Sequence, residues 1–558
     1  MMNFKTSGKD FINGSAKMAG GFYRKLFYSD FRKIGGAALL LGGASLASRL
    51  LGVFRDRILA GTFGAGDELD VYYAAFRLPD LIFNLVVLGV LSAGFIPVFS
   101  RFFYNRREKE AWALTNTVLN LLGFLLIILS LALILFAPEL VRLLTPGFSG
   151  EKFRQTVELT RIVALSPIFL GLSAVLGDVL QSLRRFFAYA VAPILYNLGI
   201  ILGAIFLVPV WGLKGLAFGV VAGSFLHFLA QIPPLFGTGY RFKFFPGWKQ
   251  EGLKEMVVLM MPRMMTLVLL QLNFLAITVI ASFLASGSLA VFNLSFNIWS
   301  FPLGIFAASF VVASFPALSE NAAQKNWPEF KKTFVYAFRQ ILFYLVPSSA
   351  LFIILRAQIV RVILGSGEFG WNDTILTIES LKFLTLGLFA EGLTLLLSRA
   401  FFALYDAKTP FWIGLFGTMA RVFGAWFFAQ SLGAPGLALG FAGGAILQMI
   451  LLWIFLERKV GVFDFKDIFS GGLKIAAASF LAGLGAWLGL RFGARFVDMQ
   501  TGHGLLLQGA LAGLFGILVY LMATSLMKLR ETGDLTAALF TKFSLKKIKT
   551  KEDISSTL

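Results

Sequence analysis

Apolar residues along this chain fall into runs of roughly 20, the length a helix needs to cross a bilayer core, and polar residues gather in short stretches between them. The pattern predicts fourteen helical spans, at about 35–60, 69–99, 112–136, 156–181, 186–209, 215–236, 255–284, 288–316, 334–355, 375–404, 410–428, 436–456, 470–490 and 504–527. The expected fold class is an all-α polytopic membrane protein. The first two spans depart from plain hydrophobicity. Between Ser45 and Pro97 two apolar segments meet at a Gly-rich turn, and Arg49, Arg55, Asp56, Asp70, Arg77 and Asp80 lie within or at the edge of them. An ionisable side chain at membrane depth costs at least about 2.5–3.5 kcal/mol, so it faces a partner or a water-filled cavity. Six in adjacent helices predict a polar chamber.

Composition agrees with the pattern. Of 558 residues 57% are hydrophobic and 14% charged, with a mean hydropathy of +0.79, where a soluble protein carries about 25% charged residues. The 57 glycines suit close helix packing in lipid. The net charge of +20 sits in loops and tails rather than in one patch, which argues for membrane topology and against nucleic acid. The bases concentrate in the even-numbered connections and both tails, so both termini are expected in the cytoplasm. With no Cys, and only His227 and His503 far apart, neither a thiolate nor a histidine metal site is expected. No nucleotide-binding motif, catalytic constellation or cofactor signature emerges. Any transport would be driven by membrane potential, an ion gradient or substrate consumption.

The chain also repeats itself. Gly212-Leu-Lys-Gly215-Leu-Ala-Phe-Gly219 opens span six, and Gly433-Ala-Pro-Gly436-Leu-Ala-Leu-Gly440 opens span twelve, 221 residues later. Arg185-Phe-Phe-Ala and Phe401-Phe-Ala precede spans five and eleven at a similar offset. Two six-helix lobes follow, related by a pseudo-twofold axis along the membrane normal, a plan that suits alternating access. The expected organisation is a basic cytoplasmic extension at 1–34, with an interfacial helix around Phe22–Phe31, a first lobe at 35–237 and a second at 238–457. Two added spans occupy 458–528, and a basic cytoplasmic tail 529–558.

Positions seven apart fall on nearly the same helical face. Arg49 with Asp56, and Asp70 with Arg77 and Asn84, are so related; Asn293, Asn297 and Ser300 form a third polar stripe in span eight. Arginines in a low-dielectric chamber suit a phosphate or diphosphate through charge-assisted hydrogen bonds. The candidate substrate-binding residues are Arg49, Arg55, Asp56, Asp70, Arg77, Asn84 and Asn297. A structural reading stands beside this one: Arg55, Asp56 and Arg57 can pair locally at a helix end, and Arg77 with Asp80 can be a structural ion pair. Asp178, Arg263, Glu391 and Arg399 are isolated charges of mostly structural type, with Asp178 and Glu391 as candidates for proton or cation coupling.

The motifs Ser48-Arg49-Leu-Leu-Gly52-Val-Phe-Arg55-Asp56, Phe63-Gly64-Ala65-Gly66 and Asp70-Val-Tyr-Tyr-Ala-Ala-Phe-Arg77-Leu-Pro79 resemble the opening of the MurJ (MviN) family. APILYNLGIILGA at 192–204, MPRMM at 261–265, ASFLASGS at 281–288 and SRAFFALYDAKTP at 398–410 extend the resemblance through span twelve. The family belongs to the MOP exporter superfamily. The resemblance implies a fourteen-helix, two-lobed flippase of lipid II, the undecaprenyl-diphosphate peptidoglycan precursor, in the bacterial cytoplasmic membrane. It also implies a cationic cavity for the diphosphate, a groove from spans thirteen and fourteen for the lipid tail, and a setting among cell-wall synthesis proteins. Arg49 and Arg55 match the family's two first-helix arginines, and Asp56 and Asp70 match its acids. Phe83 and Asn84 stand where many members carry arginine, Leu88 replaces a glutamate, and Asn297 replaces the span-eight arginine. An exporter of another polyprenyl-linked glycan or of a small solute, and a non-transporting scaffold, remain the alternatives.

Overall fold

The computed structural model describes residues 34–244, 247, 250–498 and 501–537. The expected N-terminal extension and interfacial helix, and the tail beyond residue 537, lie outside them. Among the described residues the ordered elements are helical, with no strand. Among the described residues ten helices are long and apolar enough to cross a membrane, or eleven if Trp371–Leu386 and Leu388–Ala403, bent by 42° at Gly387, form one span. The apolar surface is turned outward as lipid requires: Phe124, Phe423 and Leu518 are each more than 60% exposed.

The chain separates into two compact units, Met1–Gly287 and Ser288–Leu558. In the first, α1 is Ile34–Phe63 and α2 runs from Asp67–Ile82 through a π-helical stretch, Phe83–Leu88, to Gly89–Tyr104. Next come α3 (Glu108–Leu135), α4 (Gly150–Ser182), α5 (Phe186–Trp211), α6 (Leu213–Leu229) and α7 (Leu253–Ser282). The second unit holds α8 (Ser288–Ala323), α9 (Trp327–Leu364), α10 (the bent pair), α11 (Lys408–Leu432), α12 (Ala434–Val460), α13 (Phe465–Gly493) and α14 (Gly502–Leu526).

The repeat is written into the turns. Backbones with positive φ occur at Gly64 and Gly287, Arg106 and Lys325, Arg184 and Tyr405, and Gly212 and Gly433, pairs offset by 219 to 223 residues. At Arg106, Arg184, Lys325 and Tyr405 the next residue's N–H reaches the carbonyl five residues before it, at 2.8–3.0 Å. This is the Schellman helix cap, built here with side chains in place of the usual glycine. Gly215 and Gly436 play matching parts: an added Cβ would lie 2.3 Å from the Leu207 and Phe428 carbonyl oxygens respectively. That close approach packs α5 on α6 and α11 on α12. The π stretches Phe83–Leu88 and Leu303–Ala307 are also equivalent. Each follows a proline, Pro79 or Pro302, whose missing N–H breaks the regular ladder.

By the repeat α7 corresponds to α1, yet its contacts place it in the first unit against α2. Gly94 admits the Met256 backbone, Arg101 grips Glu255 with two bonds (3.0 and 2.7 Å), and Arg107 grips Glu251 with two more (3.2 and 2.7 Å). The pair α13 and α14 lies outside the repeat and docks on α9. Tyr520 donates to the Phe343 carbonyl at 2.7 Å, and buried Arg339 bridges Asp467 (2.6 Å) and Glu531 (2.5 Å).

Candidate polar site of the first two helices

α1 is apolar for its first four turns and then presents Arg49, Arg55 and Asp56. Arg55 is tightly held. Its Nε and Nη2 both donate to Asp56 Oδ1, at 3.0 and 2.7 Å, and its Nη1 donates to Asn197 Oδ1 of α5 at 3.2 Å. The Asn197 amide is itself turned by the Pro193 carbonyl (3.1 Å) and the Ser48 hydroxyl (3.4 Å). Three of the five guanidinium N–H groups are thus committed, leaving one on each terminal nitrogen. Asp56 is buried, whereas Arg49 is exposed, with no hydrogen bond or ion pair among the described residues.

On α2, Arg77 Nε donates to Thr278 Oγ1 of α7 at 3.1 Å, and its guanidinium lies over the Phe274 ring at 5.1 Å. Asp80, one turn on, is within electrostatic reach of both Arg77 and Arg55. One turn before Arg77, the Tyr73 hydroxyl is buried without a hydrogen-bond partner, and in α7 so is Asn273 Oδ1. Asn84 turns its amide back to the Asp80 carbonyl at 2.8 Å, where the helix widens into its π stretch. Phe83 is partly buried beside it, and the Leu88 side chain lies outside the described residues, as does that of Arg263.

Asp70 stands apart from this group. Its carboxylate is 1% exposed and accepts from Lys152 Nζ of α4 at 2.7 Å and from the Gly287 backbone N–H at 2.8 Å. Lys152 also holds Asp67 at 2.5 Å. Burial pushes the Asp67 carboxyl up, but the Lys152 ammonium and Ser286 hydroxyl outweigh it and hold the group below the usual carboxylate range. Asn297 belongs to the second unit, where it is exposed on α8, while Asn293 is buried and bonds the Leu289 carbonyl at 2.7 Å. The structure therefore brings Arg55 and Asp56 together, sets Arg77 and Asn84 on one helix with Asp80, and ties Asp70 to a different neighbourhood.

Several partners were not evident from sequence: Asn197, 142 residues from Arg55, and Thr278 and Phe274 beneath Arg77. The isolated Glu391 finds Arg421, whose Nη2 donates to it at 2.8 Å and to Gln448 Oε1 at 3.1 Å while the guanidinium lies over Phe441. No group of three or more His, Cys, Asp or Glu suited to a metal occurs among the described residues.

Outward-facing apolar helices around a partly buried arginine–carboxylate cluster define a polytopic membrane protein with charged groups at the depth of its spans. A structure described as the inward-facing conformation of a multidrug resistance MATE family transporter of the MOP superfamily has this fold, with a TM-score of 0.63 at 16% identity over 76% of this chain and 98% of its own. Within that class the sequence is decisive: the family described as Lipid II flippase MurJ matches residues 59–502, and the chain belongs to it. Lipid II flippase MurJ of Burkholderia cenocepacia is 27% identical over 504 residues, 87% of this chain and 96% of the relative. A solved structure of Lipid II flippase MurJ in an inward closed conformation superposes with a TM-score of 0.72 at 27% identity, covering 88% of this chain and 98% of that one. The resemblance read from the sequence motifs and the all-α multi-span fold are both borne out.

Proposed function

We propose that this chain translocates lipid II across the bacterial cytoplasmic membrane by alternating access, with the diphosphate held by Arg49 and Arg55. The observation that carries this reading is the state of Arg55: Asp56 and Asn197 fix its plane while two N–H groups stay uncommitted. A planar guanidinium held this way suits a phosphate oxygen pair. Arg49, exposed and unpaired six residues earlier, adds a second cation about 9 Å along the helix. The Tyr73 hydroxyl supplies a further unspent donor nearby. Asp56 serves to orient Arg55, Asp80 balances Arg77, and the neutral amides of Asn84 and Asn297 suit sugar or peptide groups. The polyprenyl tail is assigned to the face made by α13: an apolar cavity of about 410 Å³ lies there, lined by Phe338, Leu393, Trp453 and Phe469 among others. Both termini are cytoplasmic, and the driving force is the membrane potential, an ion gradient or consumption of the product by other cell-wall synthesis proteins.

The test is reconstitution in proteoliposomes, following protection of lipid II from an external probe. Wild type is expected to translocate, Arg49→Ala and Arg55→Ala to fail, and Arg55→Lys to retain a small fraction because it keeps the charge but loses the fork. A folded, correctly oriented wild type that leaves lipid II in place overturns the lipid II assignment and favours another polyprenyl-diphosphate glycan. Unchanged translocation in both alanine variants removes the arginines from the reading.

A further inference from the structure

A large apolar cavity lies away from the arginine cluster. It measures about 780 Å³, within the range of about 300–1,000 Å³ common to small-ligand sites. Phe124 of α3, Leu172 of α4 and Ile232 after α6 line it, and its rim is the non-helical stretch Tyr240–Phe244. In that stretch aromatic and basic residues alternate: Tyr240, Phe242 and Phe244 face the cavity, and Arg241 and Lys243 do not line it. Two asparagines of α3 hold the stretch in place by its main chain. Asn116 Nδ2 donates to the Arg241 carbonyl (3.0 Å) and its Oδ1 accepts from the Lys243 N–H (3.2 Å) and the Tyr240 hydroxyl (3.0 Å). Asn120 Nδ2 donates to the Lys243 carbonyl (2.8 Å). The backbone is thus pinned while both basic side chains remain exposed and, among the described residues, unpaired. The nearby acids Glu251 and Glu255 are already taken by Arg107 and Arg101.

We propose that this cavity is a second lipid site, distinct from the transport path, which seats an acyl chain of an anionic glycerophospholipid with its phosphate on Arg241 and Lys243. The apolar interior selects a hydrocarbon chain, and two cations without local counter-charges select an anionic headgroup over a zwitterionic one. Aromatic side chains beside bases are the arrangement that proteins place at the membrane–water boundary, and a basic residue there attracts anionic lipid. Phe124 and Phe236, both over 60% exposed, leave the cavity wall in contact with the bilayer from which such a lipid would enter.

The full chain, released from nanodiscs of equal phosphatidylglycerol and phosphatidylethanolamine, is examined by native mass spectrometry. Wild type is expected to retain phosphatidylglycerol preferentially. The double variant Arg241→Ala/Lys243→Ala, which alters exposed side chains and leaves the asparagine clamp intact, is expected to weaken that retention at least about five-fold, the loss expected for one surface charge. Ile232→Trp, which puts a bulkier side chain into the cavity, is expected to weaken it as well. If the tryptophan variant does not fold, the charge variant alone decides. Phosphatidylglycerol retention that ignores the charge variant overturns the proposal. So does a cavity that retains phosphatidylethanolamine equally, or one that instead takes a polyprenyl phosphate supplied in competition.

Discussion

Asp70→Ala removes a carboxylate that is 1% exposed and holds two donors, the Lys152 ammonium at 2.7 Å and the Gly287 N–H at 2.8 Å. The loss does not fall equally on both. Lys152 keeps Asp67 at 2.5 Å and lies 4.1 Å from the Phe148 ring centroid, so its charge stays compensated. The cost on that side should lie well below the roughly 3–5 kcal/mol of breaking a fully buried pair. Gly287 has no such reserve. Its φ of +81° and the Ala65 carbonyl, 1.6 Å from where a Cβ would sit, fix the backbone in place. Its N–H is then buried and unpaired, which costs about 1–3 kcal/mol. A total near 2–4 kcal/mol follows from the two terms. Thermal melting of the detergent-solubilised protein at one scan rate should show a clear fall for Asp70→Ala and a smaller one for Asp70→Asn, which keeps an acceptor for Gly287. Translocation per folded molecule should change little in either. An Asp70→Ala protein that melts with wild type but no longer moves lipid II would refute this reasoning and place Asp70 on the substrate.

Three further outcomes follow from other contacts. Gly215→Ala and Gly436→Ala should destabilise to a similar degree, since each new Cβ meets a main-chain oxygen at 2.3 Å; melting points that differ widely would break the equivalence of the two helix pairs. Arg421→Ala leaves the half-buried Glu391, its side chain 15% exposed, without its ion-pair partner and should cost less than the about 3–5 kcal/mol of breaking a fully buried pair, whereas Glu391→Gln/Arg421→Met should recover most of it; a single variant as stable as wild type would show the pair to be dispensable. Burial pushes the Asp406 carboxyl up, but the Lys459 ammonium and the Thr409 N–H and hydroxyl outweigh it and bring its pKa down to about 2 from 3.8. The folded state therefore binds fewer protons than the unfolded one in that interval, so Asp406 stabilises above pH 3.8 and the contribution fades as pH falls toward 2. The melting-point gap between wild type and Asp406→Asn should shrink from pH 5 to pH 2.5, and a gap independent of pH would contradict the assignment.

What could be read from the sequence was what depends on local pattern. The helices follow from apolar runs, and the first-unit cluster from charges where none are expected. The repeat followed from Gly212 and Gly433, because a glycine held at positive φ leaves a visible mark. The equivalent turns at Arg106, Arg184, Lys325 and Tyr405 leave none, since the bulky residues there show no sign of the left-handed backbone they adopt. Side-chain partners were the other gap. Arg55 and Asp56 are neighbours in sequence, and their pairing was legible; Asn197 lies three turns into another helix and carries no charge to suggest it. Lys152, just before the fourth predicted span, carries no motif to single it out, although it closes on Asp70. Pairing of Arg77 with Asp80 was foreseen, but the hydrogen bond at Arg77 Nε goes to Thr278, on a helix that the repeat assigns to the other half of the chain.

The charge pattern of the first unit bears on how the proposed translocation would work. Carrying Arg55 and Arg77 at membrane depth is expensive unless each is compensated, and Asp56 and Asp80 provide that compensation within the same two helices. On the proposed reading, a phosphate arriving at Arg55 meets a cation that is already desolvated and oriented, so little reorganisation opposes binding. The resident carboxylate limits how strongly that phosphate is held. Phe83 and Asn84, where the family resemblance implies arginine in many members, act in the same direction by keeping positive charge off the turn beyond Asp80. A carrier must release what it binds, and a cluster that is nearly neutral overall, with Arg49 as its unpaired cation, favours turnover over retention. Restoring charge with Asn84→Arg should therefore tighten lipid II binding and slow its release; faster translocation with unchanged affinity would contradict the argument.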